Sequence, residues 1–146
     1  LKTSLALGRR RPTEDVTVTG CHLSTHHNAL KLGTESSGDF RDIVFRDCTI
    51  VGRRHPWKGD LTSGIALATV DGGVLERVVV SGIRMDNVRA PIFVRLAQRG
   101  RGQEVPAAGR LTDVSISSVV ATGAKLASSI TAVPGHAVDP GKYEMP

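Results

Sequence analysis

The sequence predicts an all-β chain, a right-handed parallel β-helix (a single-stranded solenoid) of about four to five coils. Three observations carry this expectation: one strand–turn–strand template recurs four times, a second strand family alternates with it, and the composition suits a ring-poor aliphatic core. Hydrophobic residues make up 40% of the 146 positions, aromatics only 3%, and 16 residues are glycine. Such a chain fills its interior with Val, Ile, Leu and Ala and turns often.

The template occupies Val16–Leu23, Ile43–Ile50, Val78–Met85 and Val114–Ala121. Positions 1, 3, 6 and 8 are apolar or small, and positions 4 and 5 are Thr-Gly, Arg-Asp, Ser-Gly or Ser-Ser. Positions 1 and 3 have the period of a strand, 4 and 5 carry turn chemistry, and 6 and 8 resume the alternation on a second strand. A helix is disfavoured, because β-branched residues dominate and Gly and Ser fall in mid-segment. The second family is Ala29–Leu32, Gly64–Leu67, Pro91–Val94 and Ser129–Ala132, and Leu1–Ser4 reads as the end of one more such strand.

The template segments start 27, 35 and 36 residues apart. Unequal loops leaving one corner of each coil account for this spread. Stacking the coils predicts columns: Val16, Ile43, Val78, Val114; then Val18, Phe45, Val80, Ile116; then Cys21, Cys48, Ile83, Val119; then Leu23, Ile50, Met85, Ala121. Phe40, Leu75 and Leu111 align three residues before their segments. One coil cannot bury its own apolar face, so its neighbours must cover it. Residues 1–146 form one partial domain, with a loop-like tail over 134–146. The end coils expose strand edges.

The formal charge of +5 suits an acidic partner, although a solvated Arg-rich surface explains it equally well. No apolar run approaches the roughly 18 residues of a membrane helix. Nucleic-acid binding would rest on charge alone, since stacking aromatics are scarce. No calcium-binding carboxylate cluster is visible, and adjacent His26 and His27 have poor zinc geometry, so no cofactor is expected. Cys21 and Cys48 read as stacked thiols filling a small core site. Arg9–Arg11 and Arg53–His55 are loop clusters, and Trp57 is either a sugar-stacking rim residue or a cover for a coil end. Asp71-Gly72-Gly73 reads as a turn.

The stretches Asn28–Ile43, Ser63–Glu76, Val88–Leu96 and Ser128–His136 together resemble the bacterial polygalacturonase-type pectin hydrolases, glycoside hydrolase family 28. The resemblance covers most of the chain. It implies the right-handed parallel β-helix, an acidic polysaccharide substrate of polygalacturonate or rhamnogalacturonan type, an extracellular or periplasmic location and a monomeric full-length protein. It also implies inversion by aspartates on two adjacent coils, an acid and a base about 6.5–9.5 Å apart with water between them. By this alignment the acid pair precedes Leu1, so no catalytic residue is expected within the chain.

The resemblance also supplies the substrate-contact expectations, and here the chain departs from the family pattern. The Gly-His-Gly site aligns with His27-Asn28-Ala29, which puts Asn28 at the histidine position and His27 one place out of register. The Arg-Ile-Lys carboxylate grip aligns with Ala66-Leu67-Ala68, so both cations are replaced by alanine. Lys31 is expected to point outward on the sheet that floors the family's cleft, together with Phe93 and Arg95. Lys31 and Arg95 could bind a carboxylate or sugar hydroxyls, or simply form a solvated ladder. Glu35 could orient a neighbouring side chain from the rim, or sit as a solvated turn residue. A non-catalytic saccharide-binding β-helix is the alternative reading.

Overall fold

The computed structural model describes residues 1–5, 8–53 and 62–134. Arg54, His55, Trp57 and the tail beyond Pro134 lie outside the described residues. Ten strands follow in order: β1 (Thr13–Thr19), β2 (His22–Thr25), β3 (Leu30–Leu32), β4 (Phe40–Arg46), β5 (Thr49–Gly52), β6 (Ser63–Thr69), β7 (Val74–Asp86), β8 (Ala90–Leu96), β9 (Arg110–Thr122) and β10 (Ser129–Thr131). No α-helix occurs among the described residues. All strand pairs are parallel, and they form two sheets. One runs β1-β4-β7-β5-β2, with β9 pairing β7; the other runs β10-β8-β6-β3. The chain thus visits the four-stranded sheet, crosses to the six-stranded one and returns, gaining one parallel rung in each.

The register reproduces the predicted columns. Val16 pairs Ile43, Ile43 pairs Val78, and Val78 pairs Val114; the same holds for Val18, Phe45, Val80 and Ile116. Leu23, Ile50, Met85 and Ala121 form another such line. Phe40, Leu75 and Leu111 also align, and all three are fully buried. The outermost rung departs from the expectation of uniform burial. Val16, Val18, Cys21 and Leu23 are only half-buried, because among the described residues β1 and β2 have a neighbouring strand on one side only. Cys48 is buried but Cys21 is not, so the two free thiols are not an equally buried pair. In the second family, β10 joins two residues further along than its sequence alignment suggests: Ile130 meets Val94. A two-residue shift keeps the same face inward.

A strict two-residue alternation cannot place Phe45 and Cys48 both inside, since they are three apart. The conflict is resolved at a left-handed corner. Gly20, Asp47, Gly82 and Ser118 all have φ between 52° and 64° and stack at one level. A second corner stacks Asp15, Asp42, Arg77 and Asp113 in the same conformation, between the inward Phe40 or Leu75 and the next inward residue. Gly, Asp and Asn tolerate this region best. Ser118 and Arg77 are the exceptions, and the Arg77 guanidinium donates two hydrogen bonds to Asp42 on the rung beside it, at 2.7 and 2.8 Å. The corner at Gly82 bends β7 without breaking its ladder, so the two strands expected there are one continuous strand, as they are in β9.

Candidate functional site

The outward face of the four-stranded sheet carries the candidate site. Leu30 and Leu32 turn inward and are buried, so the intervening Lys31 faces out and is half-exposed. Lys31 pairs Ala66, which pairs Phe93; two residues further along, Ala68 pairs Arg95, which pairs Thr131. Strand β6 is buried along its whole length, with Ala66 at 2% and Ala68 at 1% exposure. The two alanines therefore make a low floor between Lys31 on one side and Phe93 and Arg95 on the other. Beyond them a cleft of about 390 Å³ is lined by Phe93, Arg95, Leu96, Ala97, Thr131 and the residues running to Pro134.

The electrostatics at Lys31 are unfavourable to its own charge. Burial lowers its pKa, and Lys2 and Arg99 push it further down, with Glu35 opposing. An anionic group placed there would relieve this repulsion. Glu35 follows in the turn after β3 and accepts a hydrogen bond from Lys2 Nζ at 2.9 Å. That contact, with a further hydrogen bond from Ser4, holds the Glu35 carboxyl below its ordinary range. The Leu1–Thr3 segment runs alongside without forming a strand of its own: Thr3 makes one isolated bridge to Ser36, and Gly33 N–H donates to Leu1 O.

The five residues expected to touch substrate are thus divided. Lys31 and Arg95 lie on this sheet, and Glu35 lies in the turn beyond the C-terminal end of β3. Asn28 and His27 precede β3. Ala29 N–H donates to Ser63 O, which sets Asn28 near the level of Ser63, whereas Arg95 is level with Ala68. The offset along the ladder is roughly 16 Å at about 3.3 Å per residue. His27 is exposed, its backbone N–H bonded to Thr25 Oγ1, while His26 Nδ1 lies 3.2 Å from Arg53 O. The Asn28 Oδ1 atom is buried without a hydrogen-bond partner among the described residues. No group of three His, Cys, Asp or Glu there could hold a metal ion.

Sequence reasoning missed the network beside Glu35. Asp71 is fully buried. Its carboxylate accepts from Arg99 Nε at 2.8 Å, from Arg99 Nη2, from Arg101 N at 3.0 Å and from Ser36 N at 3.3 Å. Burial alone would raise the Asp71 pKa; Arg99 and the two backbone donors overcome it and hold the carboxyl below its ordinary range. The available signal was a lone acid following a mostly apolar run, Ile65–Val70, broken only by Thr69. Its partner lies 28 residues away.

No family model, curated protein or solved structure matches the chain.

Proposed function

We propose that this chain is a segment of a right-handed parallel β-helix from a pectin-active, polygalacturonase-type glycoside hydrolase, and that it supplies part of the substrate cleft. The parallel two-sheet ladder and its aligned columns support the architecture, and a right-handed crossover is the rule for parallel connections. The family assignment rests on the sequence resemblance. The observation that carries the functional reading is the outward row of Lys31, Phe93 and Arg95 around a floor of two buried alanines. A cation can pair a uronate carboxylate, and an aromatic face can pack on a sugar ring.

In this reading the protein works on an acidic polysaccharide outside the cytoplasm, and the inverting acid pair belongs to coils that precede Leu1. The chain alone then binds without hydrolysing. Titration with oligogalacturonate, using a neutral oligosaccharide of equal length as the control, tests the reading. Preferential binding of the acidic sugar supports it; equal affinity for both, or hydrolysis by the chain alone, overturns it.

The buried Ala66 and Ala68 favour a second reading, a non-catalytic saccharide-binding β-helix, since they stand where the family's carboxylate grip aligns. Extending the coding sequence upstream separates the two. An Asp-Asp pair there, with a further Asp one coil earlier, identifies the hydrolase.

A further inference from the structure

We propose that Asp71 is the positioning residue of this site, acting through the turn that carries Glu35; the proposal rests on the saccharide-site reading above. The two peptide groups flanking Glu35 are held by one ion pair. On one side Thr34 O accepts from Arg99 Nη2 at 3.2 Å; on the other Ser36 N donates to Asp71 Oδ2 at 3.3 Å. Ser36 reinforces the arrangement: its Oγ accepts from Val70 N at 2.7 Å and Asp71 N at 3.0 Å and donates to Thr34 O at 3.2 Å.

The same carboxylate grips the segment after β8. Arg101 N donates to it, Gln103 Nε2 donates to Asp71 O at 2.6 Å, and Arg99 N and Gly100 N both donate to Val70 O. That segment begins with Ala97, which lines the cleft together with Leu96, the last residue of β8. Asp71 therefore ties the Glu35 turn to the cleft wall across three successive rungs. It touches no substrate position itself, because it is fully buried. Its effect is to keep the Glu35 turn at a constant offset from the segment after β8, since the ladder itself already fixes Lys31 against Arg95.

The test is Asp71→Asn in the full chain, with two readouts. Amide exchange needs no ligand: exchange at Ser36, Ser37 and Arg99–Arg101 should quicken at least tenfold while Val44 and Val79 stay protected. Affinity for trigalacturonate should fall about tenfold. In a Glu35→Gln background, Asp71→Asn should cost much less than it does alone. Full additivity with Glu35→Gln, or unchanged exchange in the two segments, overturns the proposal. If the parent chain binds no trigalacturonate, the saccharide reading fails, and the exchange measurement alone decides the clamp. If Asp71→Asn does not fold, Arg99→Gln removes the partly exposed partner and is read in the same two ways.

Discussion

Charge placement governs the individual residues. Lys31 is held among cations, with burial as the largest cause of its lowered pKa. Its amine should therefore react readily with an amine-directed ester at mildly alkaline pH, and oligogalacturonate should protect it; mass spectrometry of the labelled peptide checks both. Lys31→Ala should weaken acidic-sugar binding about tenfold, the scale of one charge-assisted contact. Asp71 obeys a different logic. Its carboxyl titrates below its ordinary value in the folded chain, so its contribution is present above about pH 4 and is lost as the pH falls through the folded value. Thermal melts against pH should show Asp71→Asn less stable than the parent by about 1–3 kcal/mol near neutrality, the difference shrinking in acid. The ion pair of Asp42 and Arg77 is exposed, and its visible geometry carries little stability by comparison.

At the level of elements, close approach between neighbouring rungs sets the register as firmly as hydrophobic pattern does. Gly38, Gly73 and Gly109 each stand two residues before an inward Phe40, Leu75 or Leu111. A Cβ on Gly73 would fall closer than 3.0 Å to Gly38 O, and one on Gly109 closer than 3.0 Å to Gly73 O. The backbone of each rung lies directly on the next, leaving no space for a side chain. Gly73→Ala should cost about 1–3 kcal/mol as overpacking, measured by denaturant unfolding. The left-handed corners tolerate change unevenly for a related reason. Asp47→Gly keeps the conformation accessible, whereas Asp47→Val places a β-branched residue at φ 54° and should destabilise the chain by roughly 1–2 kcal/mol.

Across the described residues, each strand of the two parallel sheets relies on its neighbours for cover. The inner rungs are covered on both sides: Ile43, Val78 and Phe45 are buried, while Val18 and Leu23 at one edge are half-exposed and Ile130 at the other is 49% exposed. Ile43→Ala should therefore cost about 2–5 kcal/mol, and Val18→Ala distinctly less, when both are compared by equilibrium unfolding. Equal costs would contradict an ordered stack with a covered middle. Among the described residues the edge strands pair on one side only, and such edges favour self-association at high concentration.

Sequence alone determined the rung pattern. Apolar residues spaced two, then three, then two apart can be buried together only where turn residues intervene, and Val16–Leu23 and its three counterparts display that spacing openly. It also placed Lys31 and Arg95 on one outward face, since strand alternation is local. Only the tertiary structure decided that Cys21 lies at an edge while Cys48 is interior. It alone set Asn28 far along the ladder from Arg95 and made Asp71 the buried junction between the Glu35 turn and the cleft wall. The reason is range: alternation is set between adjacent residues. Exposure at an edge, and an ion pair spanning 28 residues, depend on which rungs the fold brings together.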